Sequence, residues 1–299
     1  MKKAIGIDLG GTSILGGLID EDGMIIKRAE TESRTAKGRK EVLKRISEII
    51  NALMEDGVIG ITIGSPGFID TKEGRVLKVG GNIKDWAGTP IKEELQKEFN
   101  DLPIFVENDA NIAALCEHWK GAARDYDSFL MLTLGSGVGG AIYIENHGLL
   151  YGHSYQGAEL GHLILYPNGR QCTCGQKGCV EQYVSGKAIE KMYEELTSIS
   201  KSGKEIFNNI HVDEIAKGLI REFSRNLGIY LTSLKNAFDP EGIVIGGGVI
   251  NSRNIWWDDM IDSYKEHVND SEGMDIVPAH YLNDAGMIGA GKLVFDRLV

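Results

Sequence analysis

The stretch 4-AIGIDLGGTSILGGLID-20 sets two apolar runs on either side of Gly10-Gly11, with an acid, Asp8, near the end of the first run. Short runs rich in Ile and Leu, broken by paired glycines, read as strand, tight turn and strand. Paired glycines let the backbone turn sharply and aim amide hydrogens at an anion, while a carboxylate beside them can hold a hydrated Mg2+. A plain hairpin would look the same in this stretch alone. Asp22-Gly23 signals a second turn and 24-MIIKRAETES-33 a third strand, so a meander opens the chain.

The layout returns further on. Strand 128-SFLMLTL-134 is followed by the glycine turn 135-GSGVGG-140 and strand 141-AIYIEN-146, and a third glycine cluster, Gly246 to Gly248, follows 242-GIVIG-246. The repetition reads as a duplicated architecture rather than a duplicated sequence. Between the two meanders, Val42, Ile46, Ile49, Ile50 and Leu53 recur at helical spacing, and 58-VIGITIGSPG-67 is a buried strand ending in a Gly/Pro turn. Thr89-Pro90 predicts an N-cap and first helical position for a helix reaching about Phe99. Strand 104-IFVEN-108 runs into helix 110-ANIAALCEHWK-120, a long amphipathic helix starts near Val212 and stops at Asp239-Pro240, and 285-AGMIGAGKLVF-295 closes the chain as a helix. A P-loop lysine pattern is missing, as is a GxGxxG opening a helix near the N-terminus.

At 299 residues the chain exceeds the usual size of one core, so two domains are expected. No apolar run approaches the ~20 residues that cross a bilayer, and Met1-Lys2-Lys3 leads at once into a short strand, unlike a signal peptide. The expectation is a cytoplasmic protein without a membrane partner. A net charge of −11 and the lack of any Lys/Arg block argue against a broad nucleic-acid surface. An anionic ligand must therefore be held locally, by glycine-turn amides and a bound cation.

In 107-ENDAN-111, Asp109 stands where a strand meets a helix. The position suits an N-cap, and a carboxylate beside a helix dipole is expected to have a lowered pKa. It also suits a general base that takes a proton from a bound hydroxyl. Asn108, donor and acceptor at once, suits a hydroxyl-bearing ligand.

The segment 171-QCTCGQKGCV-180 places Cys172, Cys174 and Cys179 within eight residues. Three cysteines leave one odd for a disulfide, a redox pair is usually CxxC, and the intervening glycines allow three thiolates to aim at one Zn2+. A fourth ligand is then required. His162 in 158-AELGH-162 offers it, and His153 is the rival nearest in sequence.

Taken together, Asp8-Leu9-Gly10-Gly11-Thr12 resembles the first phosphate motif of the actin and hexokinase superfold, 132-LTLGSGVGG-140 its second, and 243-IVIGGG-248 its adenosine motif. The pair 158-AELGH-162 and 172-CTCGQKGCVE-181 resembles the ExGH and CxCGxxGCxE signatures of the ROK family of sugar kinases and repressors. The resemblance covers nearly the whole chain. It implies an α/β, two-domain actin/hexokinase-like (ribonuclease H-like) fold with a ligand cleft between the domains. The expected division is 1–110 with the C-terminal helix 285–299, against 111–284 carrying the zinc motif.

The function implied is ATP-dependent phosphorylation of a free hexose or related sugar, glucose or fructose in type. The resemblance makes Asp109 the base, and gives Asn82, Asn108, Asp109, Glu159, His162 and Glu181 to the sugar. ATP falls to Gly10, Gly11, Thr12, Gly135, Ser136, Gly137, Gly247 and Gly248, with Mg2+ near Asp8. Structural Zn2+ falls to His162, Cys172, Cys174 and Cys179. A homodimer is implied as well. Ser136 stands where GTG is common in the family and keeps the hydroxyl, and 116-CEHWKGA-122 departs from the usual acidic-glycine pattern. The alternatives are a kinase for an N-acetylated hexosamine, allose or a β-glucoside, or a sugar-responsive repressor without kinase activity. A repressor carries a helix-turn-helix before the first motif, whereas seven residues precede Asp8 here. An actin- or chaperone-like ATPase without a sugar is the remaining reading, and the AELGH and cysteine segments speak against it.

Overall fold

The computed structural model describes residues 1–80, 83–270 and 272–299, and the chain divides into two compact units. The first comprises Met1–Asp125, Leu149–Ala158 and His280–Val299, the second Tyr126–Gly148 and Glu159–Ala279.

The first unit opens with β1 (Lys3–Leu9), β2 (Ser13–Asp20) and β3 (Ile25–Glu32), paired antiparallel as a meander. Helix α1 (Arg39–Leu53) buries Val42, Ile46, Ile49, Ile50 and Leu53, the stripe that its sequence spacing predicts. Strand β4 (Val58–Ser65) adds parallel to β1. A short hairpin of β5 (Phe68–Asp70) and β6 (Arg75–Lys78) follows, then α2 (Ile91–Gln96), β7 (Ile104–Asn108) parallel to β4, and α3 (Asp109–Lys120). The sheet order is β3-β2-β1-β4-β7. Ile5, Ile7, Ile61, Ile63 and Val106 form its core with the α1 stripe and a fully buried Trp86.

The second unit repeats the plan. Its sheet holds β8 (Phe129–Leu134), β9 (Val138–Ile144), β10 (Gly148–Leu149), β11 (Gly242–Gly246) and β12 (Asp275–Pro278), ordered β10-β9-β8-β11-β12. β9 is antiparallel to β8, and β11 lies parallel to both β8 and β12. In each unit, then, a glycine turn joins the two strands of the opening antiparallel pair, and parallel strands extend the sheet. Helices α4 (Glu181–Val184), α5 (Gly186–Thr197), α6 (Gly203–Asn208), α7 (Glu214–Phe238) and α8 (Arg253–His267) belong to this unit, with Phe223 of α7 edge-on to Trp256 of α8.

The last helix, α9 (Ala285–Leu298), returns to the first unit and packs on β1, β4 and α3. A Cβ on Gly289 would meet the Ile112 carbonyl oxygen at 1.9 Å, so only glycine lets α3 and α9 approach this closely. This packing places α3 in the first unit, which continues to Asp125; the sequence reading put residues from 111 onward in the second.

Two local expectations need correction. Helix α2 starts at Ile91 with Pro90 as its cap, because Pro90 has a non-helical ψ of 74° and Thr89 turns its hydroxyl back to the Asp85 carbonyl. Helix α3 is capped by Asn108, whose side chain accepts from the Ala110 and Asn111 amides, and not by Asp109. Among the described residues no helix is long and apolar enough to cross a membrane.

Candidate functional site

In the first unit the β1–β2 turn is closed by the Gly10 amide donating to the Ser13 carbonyl at 2.9 Å. From behind, Ser33 and Thr35 hydroxyls both donate to the Gly11 carbonyl, at 2.9 and 3.3 Å, which leaves Gly11 and Thr12 exposed at the tip. Asp8, on the strand leading into this turn, is largely enclosed. Burial, and secondarily the charge of Asp109, pushes its carboxyl up to about 7. Burial and a neighbouring carboxylate both penalise the negative charge on Asp8, and a cation beside it would relieve that penalty, as at a Mg2+ site.

Asp109 is the first residue of α3. Its Oδ1 accepts the Ala110 amide at 2.9 Å, and the side chain keeps a face open to solvent. The expectation of a lowered pKa is overturned: burial raises it, and the backbone amides at the helix start only partly oppose that. The physical reason is that protein surrounds the carboxylate on its other sides, and lost hydration outweighs the dipole. Asn108 spends its Oδ1 on the cap and donates an amide hydrogen to the Gly67 carbonyl at 3.1 Å, and its side chain also hydrogen-bonds the Asp109 carboxylate. Asn82 lies outside the described residues.

Sequence reasoning missed Glu107, which stands 1% exposed behind Asn108. Its Oε1 accepts the Asn108 amide at 2.8 Å and the Asn111 side chain at 2.9 Å, while Oε2 accepts the Tyr151 hydroxyl at 2.9 Å. Tyr151 lies in Leu149–Ala158, the segment that belongs to the first unit while the chain on both sides of it belongs to the second. An acid predicted at a buried strand end was the only available signal.

In the second unit the turn between β8 and β9 is closed by the Gly135 amide on the Gly137 carbonyl at 2.9 Å. Val138 donates its amide to Glu181 Oε2 at 3.0 Å, so a predicted sugar residue and a predicted phosphate turn touch. Gly247, with φ of 84°, packs its backbone against Leu134 at the root of the same turn, and Gly248 follows it. Ser136 stays within the turn.

The ligand atoms of His162, Cys172, Cys174 and Cys179 all lie within 4.8 Å of one another. Cys174 and Cys179 sulfurs are 3.6 Å apart, and His162 Nδ1 lies 3.7 Å from Cys172 Sγ. A tetrahedron of thiolates at a Zn–S distance of ~2.3 Å has edges of about 3.8 Å, so the donor set fits zinc in spacing and in chemistry. The gathered group contains His162, and the rival His153 lies in the Leu149–Ala158 segment of the first unit. The other ring nitrogen of His162, Nε2, sits 3.8 Å from Glu159 Oε2. Tyr230 of α7 holds the turn that carries His162 by donating to the Leu160 carbonyl at 2.6 Å. Cys116 is buried on α3, apart from this group.

The comparisons with known proteins agree on one family. Residues 4–297 match the ROK family. A glucokinase of Thermotoga maritima is 32% identical, over 99% of this chain and 98% of its own. The crystal structure of a ROK hexokinase from Thermus thermophilus aligns with a TM-score of 0.88 at 32% identity, covering 99% of each chain. A ROK glucokinase from Streptomyces griseus, solved with glucose and AMPPNP, aligns with a TM-score of 0.86 at 30% identity, over 98% of this chain and 99% of its own.

Proposed function

Since the chain belongs to the ROK family and is an ATP-dependent sugar kinase, we propose that its substrate is a free hexose, D-glucose before others, and that Asp109 takes the proton of the attacking hydroxyl. The carrying observation is Asp109 itself, set at the start of α3, open to solvent on one face and raised in proton affinity by burial on the others. A carboxylate whose proton affinity is raised above the ordinary range is better suited to accept the proton than one left unshifted.

Asn108, Glu159, His162 and Glu181 are proposed to hold the sugar hydroxyls. Amide and carboxylate partners select a sugar because a wrong one leaves polar groups unpaired. The glycine turns at Gly10–Thr12, Gly135–Gly137 and Gly247–Gly248 would carry ATP, and Asn82 joins the proposed sugar contacts on the family resemblance alone. Asp8 would hold Mg2+, which supplies charge neutralisation on the phosphates. His162, Cys172, Cys174 and Cys179 would hold a structural zinc with no open coordination position, whose part is to stiffen the segment from Glu159 to Glu181. Asp109 then has the chemical work of receiving the proton late, while the hydroxyl is aligned by its neighbours.

A cytoplasmic homodimer that does not bind nucleic acid completes the proposal. The net charge of −11 supports the last part, and sequence-specific retardation of DNA in a gel would contradict it. The test of the substrate is ADP release over a panel of glucose, fructose, mannose, allose, N-acetylated hexosamines and β-glucosides, with metal analysis of the same sample. Glucose should give the highest kcat/KM with zinc present; nucleotide turnover independent of any sugar would refute the reading.

A further inference from the structure

One carboxylate in the second unit serves two places. Glu181 opens α4 directly after the cysteine cluster, and its Oε1 lies 3.9 Å from Cys172 Sγ. Its Oε2 accepts the Val138 amide at 3.0 Å. A Cβ added to Gly137 would stand 2.3 Å from that same oxygen, so the carboxylate occupies the space that any other residue at 137 would fill. The chain after Glu181 grips the turn from its other end, where the Gly186 amide donates to the Gly135 carbonyl at 2.8 Å. Both ends of the turn Gly135–Gly137 are therefore set by Glu181 to Gly186.

We infer that Glu181 couples the sugar site to the phosphate turn: a sugar hydroxyl bound to its carboxylate fixes Oε2 on the Val138 amide, and so orders the turn that receives the nucleotide. The inference rests on the reading of Glu181 as a sugar contact and of Gly135–Gly137 as a phosphate turn. A carboxylate offers about four lone-pair positions, so one oxygen can serve Val138 while the other serves a hydroxyl. A hydroxyl held on one oxygen restricts the side chain's rotamers, so less entropy is lost in aiming the other oxygen at the Val138 amide. Linkage then makes the effect reciprocal: if bound sugar orders the turn for nucleotide, nucleotide seated on the turn favours sugar by the same free energy, and a change that displaces the carboxylate weakens sugar binding. Glu181 acts here as a positioning residue for the turn, in addition to touching the sugar.

Gly137→Ala provides the decisive variant. The added methyl meets the far end of a flexible side chain, which can move, so the fold should survive while the carboxylate is displaced. D-glucose is titrated calorimetrically, with no nucleotide present, into the zinc-loaded wild type and into G137A, and melting temperatures are recorded for both. The expected result is roughly tenfold weaker glucose binding by G137A at an unchanged melting temperature. A glycine needed only for nucleotide would leave sugar affinity untouched, and equal affinities overturn the coupling. Should G137A melt early, amide exchange of residues 135–138 in the wild type decides instead: slower exchange on adding glucose supports the coupling, and no change overturns it. Where the wild type binds none of the panel sugars, the kinase reading fails first and takes the coupling with it.

Discussion

Tyr151 donates its hydroxyl to Glu107 Oε2 at 2.9 Å across 44 positions of chain, and this bond ties the Leu149–Ala158 segment to the strand end that carries Asn108 and Asp109. The acceptor is fully buried and takes three donors. Tyr151→Phe removes one of them and should cost about 1 kcal/mol, the usual worth of a single intramolecular hydrogen bond. Glu107→Ala strands the Asn108 amide, the Asn111 side chain and the Tyr151 hydroxyl together, and should cost roughly 3 kcal/mol. Urea midpoints check both. A Tyr151→Phe midpoint equal to wild type would show that the segment is not held by this bond.

Asp8 predicts a stability profile with a definite sign. Its carboxyl is raised from 3.8 to about 7 in the folded state. The folded chain therefore binds the proton more tightly than the unfolded one, and this contribution is fully present below pH 3.8 and lost as pH rises to about 7. In magnesium-free buffer, Asp8→Asn should abolish that loss, so the variant gains on wild type between those values and keeps its advantage above them. Such a gain at the expense of function is common at charged sites. Parallel stability curves for the two proteins across this range would contradict the assignment.

The thiolate cluster predicts that metal and stability go together. Cys174→Ser, or a strong chelator, should remove zinc from the protein and lower the melting temperature by roughly 3–5 °C, as expected when about 2–3 kcal/mol is lost from a chain of 299 residues. Metal analysis with a melting scan measures both. Full stability in zinc-free protein would show that the cluster is held by its packing alone.

The repeating strand plan was legible in the sequence because each meander is marked twice, by apolar runs and by glycine turns. The paired sheets β3-β2-β1-β4-β7 and β10-β9-β8-β11-β12 follow from that pattern. Less legible were elements with little local signal. The β5–β6 hairpin has strands of three and four residues, and α8 buries only Trp256, Met260, Ser263 and Tyr264 among charged neighbours. Of the site, the gathering of the three cysteines was readable from spacing and residue type, whereas the choice of His162 over His153 came from the family resemblance. The cap was not: Asn108 and Asp109 are both good capping residues, and only the backbone turn decides between them. The upward shift of Asp109 was likewise hidden, since desolvation depends on segments far away in sequence.

Raising the proton affinity of Asp109 also has a kinetic consequence. Its ionised form is the one that accepts the hydroxyl proton, so kcat/KM should fall on the acid side through an apparent pKa above the ordinary 3.8. An acid limb at or below that value would mean that the titrating group is not a desolvated carboxylate.

The most direct test of Asp109 as the base pairs two readings on Asp109→Asn: calorimetric affinity for the sugar selected by the panel, and turnover of that sugar with MgATP. The variant should bind the sugar within about threefold of wild type, because the amide keeps the shape, and should lose a factor of roughly 100 to 10,000 in kcat. Turnover near the wild-type rate with binding intact would contradict the account.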